Sequence, residues 1–283
     1  MAAASPTVRQ RELAARLRRL RNDFGLTVDE VAKELLCSST KISRIETGAR
    51  RATLRDVRDL SRLYQVTDEV AAELMELAQE ARKPGWWTRF NDLKLSPYIG
   101  LEQDATAINY FSMYFLHGLV QTEEYSRAII KGMTPNISSE VFEQRVEARR
   151  LRQELLDREK PPHFQMLLDE SVLYRQIGGP IVMAAQLDRI LLLMREQKVS
   201  VQIIPFEAGA YDSTDSNFVY LKFDDRPDLP DIVFVEGLIS HLYHEQPDEA
   251  ERYQESFKNL QDVALSPSES RIRITEMRDK YSK

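Results

Sequence analysis

The stretch from Thr27 to Gly48, TVDEVAKELLCSSTKISRIETG, predicts two short helices joined by a tight turn. Thr27 followed three residues later by Glu30 is a capping box, so we expect the first helix to begin near Val28. Ser38 is a suitable N-cap for the second helix, which leaves about three residues for the turn. Two short helices with a turn of this length are typical of a helix-turn-helix.

The second helix of this stretch has an apolar face and a polar face. Ile42 and Ile45 point inward, and the small Ala32 lets the two helices approach closely. The outward side chains are short, polar or cationic, as base edges and phosphates require: Ser39, Thr40, Lys41, Ser43 and Arg44. We therefore predict that this helix binds double-stranded DNA. The alternative interpretation is a small helical bundle used for protein contacts.

The predicted DNA contacts divide by position along the chain. On the leading turn of the second helix, Ser39, Thr40 and Lys41 are expected to face base edges. The next two outward residues, Ser43 and Arg44, are expected to face phosphate. Arg50 and Arg51 lie in the loop after Gly48, within reach of the DNA backbone. The full predicted set is Thr27, Ser38, Ser39, Thr40, Lys41, Ser43, Arg44, Arg50 and Arg51.

With its flanking helices, over roughly residues 10–66, the stretch resembles the XRE or lambda-repressor type of helix-turn-helix regulator. The ending Ser43-Arg44-Ile45-Glu46-Thr47-Gly48 matches the S-R-I-E-x-G that is common in this family. Val28 stands where a Gln is common, which removes one expected phosphate or base contact. Leu36 stands where the turn normally has Gly, and a non-Gly residue at positive φ costs on the order of 1 kcal/mol. Either the turn is remodelled or the strain is tolerated.

The charge of the chain is unevenly distributed. The net charge is -6, but residues 1–65 carry +6 and the remainder carries -12. A basic end on an acidic remainder is expected when one end of a protein meets phosphate. The length of 283 residues favours two domains at a prior of about 150 residues each. We place the boundary at Lys83-Pro84-Gly85, where a helix cannot continue, which gives domains 1–83 and 84–283.

The predicted fold class is an all-α N-terminal helix-turn-helix domain of about five helices, followed by a mixed α/β domain. In the first domain, residues 8–24 form the first helix, Thr53 caps the fourth, and Asp68 starts the fifth. In the second domain, residues rich in β-branched and aromatic side chains predict strands: 164–169, 199–206, 217–223 and 231–237. Helices are expected at 97–133 with one interruption, at 138–159, from Pro180, at 247–264, and after the capping box of Ser266 and Glu269.

Residues 86–265 resemble the C-terminal domain of actinobacterial XRE-type regulators that are described as antitoxin-like. The matching pieces are Trp87, Leu101-Glu102, GLVQTEEY at 118–125, the run from Arg149 to Gln153, Asp169-Glu170, Gly178-Gly179 and IIPFEAGAY at 203–211. His117 and Val120 depart from the usual P-G-L-L-Q-T, and Tyr211 stands where a His is frequent. The resemblance implies a regulator that is often paired genetically with a small partner protein and has no established catalysis.

Few residues favour an enzyme, and we expect no catalytic, cofactor-binding or metal site. Cys37 is the one cysteine, and the two rings of His241-Leu-Tyr-His244 fall on opposite faces of a strand. Asp169-Glu170, with Glu207 and Asp212, would line a pocket at strand ends or simply form acidic surface. Four arginines of the 138–159 helix alternate with glutamates, which favours a salt-bridged surface over an anion site: Arg145, Arg149, Arg150 and Arg152.

These observations predict a cytoplasmic, homodimeric, sequence-specific DNA-binding transcriptional regulator. The sequence has no run of about 18 apolar residues and no apolar signal-peptide core, so we expect no membrane partner. The second domain would dimerise, with Trp86, Trp87 and the 138–159 helix as candidates, and bind a small protein partner or a small-molecule ligand. The alternative is an antitoxin-like protein that sequesters a small partner protein and binds DNA for autoregulation. A third interpretation makes the second domain a degenerate enzyme or a small-molecule sensor.

Overall fold

The computed structural model of the chain describes residues 5–90, 96–213, 216–237 and 240–283. They form two compact units. The first contains residues 5–89, the helix Ser96–Asp104 and the segment Asp224–Leu229, and the second is built from Ala105–Phe223 and Pro230–Lys283. The predicted domain boundary between residues 83 and 84 stays a prediction. Within the described ranges, no helix has both the length and the apolar character that crossing a membrane requires.

The regular elements of the first unit are helices. They are α1 (Pro6–Asp23), α2 (Val28–Glu34), α3 (Ser39–Glu46), α4 (Leu54–Leu63), α5 (Asp68–Glu80) and α6 (Ser96–Asp104). Each of the first five begins after a Ser or Thr whose hydroxyl accepts a hydrogen bond from a backbone N–H three residues later: Ser5, Thr27, Ser38, Thr53 and Thr67. The predicted all-α N-terminal helix-turn-helix domain is confirmed.

One apolar core holds these helices together. Ile42 and Ile45 of α3 pack with Leu17 of α1 and Val31 of α2, and α4 and α5 complete the cluster. Because α3 buries this face, its opposite face is left to solvent. Phe24, the last residue of the predicted first helix at 8–24, lies just past the end of α1 and is exposed.

The two adjacent tryptophans lie in a short 3-10 segment, Trp86–Arg89, of the first unit. Trp87 is buried, and the indole N–H of Trp86 donates to Oε1 of Gln103 in α6 at 2.8 Å. Burial in the chain's own core makes Trp87 unsuitable as an exposed dimer contact.

The second unit is built on a six-stranded mixed sheet. Its strands are β1 (Ala107–Ser112), β2 (His163–Asp169), β3 (Ser200–Ile204), β4 (Phe218–Lys222), β5 (Ile232–Glu236) and β6 (His241–His244), in the order β3-β2-β1-β4-β5-β6. β1, β2 and β3 are parallel, and the remaining neighbours pair antiparallel. The predicted mixed α/β class of the second domain is confirmed.

Helices cover both faces of this sheet. They are α7 (Glu123–Met133), α8 (Ser139–Gln153), α9 (Ser171–Tyr174), α10 (Pro180–Arg195), α11 (Pro247–Val263) and α12 (Pro267–Tyr281). Phe257 and Leu260 of α11 pack on one face against Phe111 of β1. On the other face, the ring of His117 lies 4.8 Å from the ring of Tyr110 and 5.1 Å from that of Phe164, measured between centroids.

One sequence prediction for this unit is wrong. Residues 97–133 were expected to be helical with one interruption, but Ala107–Ser112 is a central strand of the sheet. Ile108, Tyr110 and Phe111 are all buried, so both faces of the strand are covered. A strand that is buried on both faces shows a nearly continuous apolar run instead of alternation, and periodicity does not separate such a run from a buried helix.

Candidate nucleic-acid interface

Two backbone hydrogen bonds close the turn between α2 and α3. The N–H of Leu36 donates to the carbonyl of Lys33 at 3.2 Å, and the N–H of Cys37 donates to the carbonyl of Ala32 at 2.9 Å. These two hydrogen bonds require a residue in the left-handed backbone conformation, and Leu36 has a φ of 50°. The turn therefore keeps its usual geometry and tolerates the strain. The side chain of Leu36 is 95% exposed, so packing does not offset the cost.

The hydroxyls of Thr27 and Ser38 serve as helix caps. Thr27 Oγ1 accepts from the N–H of Glu30 at 3.2 Å, and the Glu30 carboxylate accepts from the backbone N–H of Thr27 at 2.8 Å, as the capping box predicts. Ser38 Oγ accepts from the N–H of Lys41 at 3.2 Å. These contacts orient the starts of α2 and α3. A DNA contact from either hydroxyl stays a prediction and would be made in addition to its cap.

The outward face of α3 is only partly open. Thr40, Ser43 and Arg44 are exposed, whereas Ser39 and Lys41 are half-buried. The hydroxyl of Ser39 donates to Asp29 of α2, and the ammonium of Lys41 donates to Asp56 of α4. Of the three residues predicted to face base edges, Thr40 is exposed, whereas Ser39 and Lys41 are already hydrogen-bonded to carboxylates.

Asp56 links Lys41 to the start of α4. Its carboxylate also accepts from the backbone N–H of Thr53 at 2.9 Å, completing a second capping box. Burial works against ionisation of Asp56, but hydrogen bonds from Lys41 and Thr53 outweigh it and hold the pKa of that carboxyl below its usual value. Asp56 is therefore ionised at neutral pH and holds Lys41 in place.

An ion pair joins α3 to α1. Arg21 donates to the carboxylate of Glu46 and also to the carbonyl of Leu26, the latter at 2.7 Å. Burial, together with the charge of Glu46 nearby, raises the pKa of the Tyr64 hydroxyl. Glu46 belongs to the family motif, and its pair with Arg21 gives it a structural role in positioning α3.

The arginines of the first unit fall into two groups. On α1, Arg9 pairs with Glu12 at 3.2 Å, and Arg16 pairs with Glu73 at 2.7 Å. Their charge is therefore compensated within the unit. Arg44, Arg50 and Arg51, which belong to the predicted DNA-binding set, are exposed and form no ion pair with any residue that the structure describes, and the same holds for Arg18, Arg62 and Arg82 outside that set.

Two of the four acidic residues singled out in the second unit, Asp169 and Glu170, are bound within it. Asp169 accepts from the hydroxyl of Tyr211 at 2.6 Å and from the N–H of Ser171 at 2.9 Å. Glu170 is buried and accepts from the N–H of Phe206 at 3.0 Å and from Arg273. The predicted alternatives were a pocket lining or acidic surface: Glu207 and Asp212 are exposed, as an acidic surface requires, whereas Asp169 and Glu170 fasten the loops after β2 and β3.

The remaining candidates of the second unit are also held by neighbours. Arg150 pairs with Glu147 and Glu154 along the exposed side of α8, whereas Arg149 donates to Oε1 of Gln121 at 2.7 Å. In β6, His241 packs on Phe234, and His244 packs on Tyr253 of α11. Among the described residues, no three His, Cys, Asp or Glu side chains are arranged to hold a metal ion.

Two family models match the chain. A helix-turn-helix domain matches residues 12–74, which include all of α2 and α3. A domain of unknown function, DUF5753, matches residues 95–276, more than half of the chain. No curated protein and no solved structure matches the chain. The first match supports the predicted helix-turn-helix, while the XRE type and the antitoxin-like character stay predictions.

Proposed function

Because the chain belongs to the DUF5753 family and carries a helix-turn-helix domain before that domain, we propose that it is a sequence-specific, XRE-type DNA-binding transcriptional regulator. The observation that carries the proposal is the exposed face of α3, where Thr40, Ser43 and Arg44 lie close in sequence to the unpaired Arg50 and Arg51. A recognition helix needs short polar groups for base edges and cations for phosphates. The proposal includes no catalytic step and no cofactor.

The proposed regulator binds DNA as a homodimer. One helix-turn-helix reads only a few base pairs, and such domains gain specificity by presenting two recognition helices about 34 Å apart. Dimerisation and the response to a protein partner or ligand are assigned to the C-terminal domain. A two-fold symmetric dimer makes the operator an inverted repeat with half-sites about one or two turns apart.

Selection of operator sequences from random DNA with the full-length protein tests this function. The expected consensus is an inverted repeat, and affinity should fall log-linearly with salt. Sedimentation at micromolar concentration should give a dimer. The triple variant Thr40→Ala, Ser43→Ala, Arg44→Ala serves as the matched control, because its changes are on exposed positions and should leave the fold intact. A folded wild-type protein that enriches no sequence would contradict the proposal.

A second candidate is the antitoxin-like protein that sequesters a small partner. The observation that favours it is an exposed aromatic pair after β2 and β3: Tyr174 and Phe206 are 44% and 53% exposed, with ring centroids 5.5 Å apart. Exposed aromatic side chains are enriched at protein interfaces. Calorimetric titration with the product of a small neighbouring open reading frame tests it, with Tyr174→Ser, Phe206→Ser as the variant expected to lose binding while keeping its affinity for DNA.

A further inference from the structure

Three arginines of the first unit line one cleft. Arg50 and Arg51 belong to the loop between α3 and α4, and Arg82 lies two residues after the end of α5. The floor is apolar and is formed by residues of α1, α3, α5 and that loop: Leu13, Ala14, Ile45, Ala52, Ala78 and Ala81. Gln10 also lines the cleft, so three arginines and one amide side chain surround a mostly apolar surface.

No carboxylate lines this cleft, and within the part of the chain that the structure describes none of the three guanidinium groups forms an ion pair. The nearest acidic residue in sequence, Glu80, pairs with Lys83 at 2.6 Å. Three like charges above an apolar floor repel each other and create a concentrated positive potential. Binding of an anion would relieve that repulsion.

The cleft is fixed to the recognition helix. The amide of Gln10 donates to the carbonyl of Gly48 at 2.5 Å and accepts from Nε of Arg51 at 3.1 Å, so one side chain of α1 holds both the loop and an arginine. The N–H of Arg50 donates to the carbonyl of Arg44 near the end of α3 at 2.8 Å. The loop therefore has a fixed position relative to α3, so DNA that binds α3 would contact the loop at a defined position along the backbone.

We propose that Arg50, Arg51 and Arg82 bind a phosphodiester group of the DNA backbone, which makes Arg82 part of the DNA interface. This inference rests on the proposed function. The planar guanidinium group presents paired N–H donors that match two phosphate oxygens. The duplex backbone is favoured over a free anion because the cleft adjoins the end of the recognition helix, where Ile45 is one of its lining residues. Arg82 lies outside the residues matched by the helix-turn-helix family, so motif recognition does not reach it.

Binding of the full-length protein to its selected operator, measured over a range of salt concentrations, tests the site. Arg82→Ala should weaken binding by about 3- to 10-fold at 0.1 M salt and reduce the slope of log affinity against log salt by about 0.9, as loss of one phosphate contact requires. The selected consensus should stay the same, because a backbone contact carries no base information. Arg82→Lys keeps the charge and should retain most of the slope.

Arg62→Ala is the matched control, since Arg62 is an exposed arginine of α4 that forms no ion pair in the described structure and does not line the cleft. It should leave affinity and slope unchanged. Equal losses from Arg62→Ala and Arg82→Ala would indicate a general charge effect and overturn the site, as would an unchanged slope for Arg82→Ala.

A titration with inorganic phosphate alone separates the two sources of the anion. Millimolar phosphate that shifts the Arg82 Nε–H resonance, combined with an unchanged DNA salt slope for Arg82→Ala, would assign the cleft to a free anion and overturn the proposal. If the wild-type protein enriches no operator, the proposed function fails and this site fails with it. If wild type binds an operator and Arg82→Ala binds it identically, only the site fails.

Discussion

Nε of Arg21 in α1 lies 2.9 and 3.0 Å from the two carboxylate oxygens of Glu46 at the end of α3. The two side chains are only 12% and 5% exposed, so solvent screens the pair weakly. The pair fixes the last turn of the recognition helix against the first helix, and the exposed face of α3 depends on this anchor for its orientation. Removing one partner leaves the other charge buried and unpaired.

Glu46→Gln should therefore lower the free energy of unfolding by about 3 kcal/mol. Urea unfolding followed by circular dichroism measures it. Asp59→Asn, which breaks the surface pairs of Asp59 with Arg55 and Arg58, is the control and should cost less than about 1 kcal/mol. Similar small losses for both variants would show that the Arg21 pair does not anchor α3.

Leu36→Gly should stabilise the protein by about 0.5 to 1 kcal/mol, because Gly adopts the left-handed conformation without a Cβ penalty and the exposed Leu side chain has no packing to lose. Gln65 ends α4 with the same two backbone hydrogen bonds and a φ of 48°, so Gln65→Gly is a matched variant with the same expected gain. Thermal unfolding measures both. A lower melting temperature for Leu36→Gly alone would mean that Leu36 makes a stabilising contact.

The sequence predicted what depends on near neighbours. The capping boxes of Thr27 with Glu30 and of Ser266 with Glu269 join residues three apart, and both are present. The helix-turn-helix and the later strands followed from the same local patterns. The start of α3 was predicted closely, because its cap and its apolar spacing lie within eight residues.

Contacts between distant residues were not predictable in this way. Arg21 and Glu46 are 25 residues apart, and Lys41 and Asp56 are 15 apart, so no local pattern pairs them. Outward residues of α3 were identified from helical periodicity, but periodicity does not show which of them a neighbouring helix has already bound. Strand β1 was missed for a related reason, since burial on both faces is set by tertiary packing.

Acid should weaken the wild-type protein more steeply than the variant Asp56→Asn. The pKa of Asp56 in the folded chain lies below its ordinary value of 3.8. A depressed pKa contributes stability that is present above the unfolded value and is lost as pH falls through the folded value. The difference in urea midpoint between wild type and Asp56→Asn should therefore be constant above about pH 5 and shrink below about pH 4. A difference that stays constant down to pH 2.5 would contradict the pKa shift.

The last prediction concerns base reading by the leading turn of α3. Thr40 is exposed, whereas Ser39 and Lys41 are bound to Asp29 and Asp56. A lysine that contacts a guanine is worth about 1 to 3 kcal/mol of discrimination, and Lys41 must turn from Asp56 to make such a contact. Lys41→Ala should therefore relax the consensus at one position of each half-site.

Operator selection with single alanine variants at positions 39, 40 and 41 measures this effect. Asp56→Asn is the informative companion variant, because it releases Lys41 without removing it. It should tighten binding to unrelated DNA at low salt, since a freed ammonium group is available to any phosphate. If all three alanine variants return the wild-type consensus, the leading turn of α3 does not read bases, and the assignment of positions 39–41 to base edges and of Ser43 and Arg44 to phosphate is wrong.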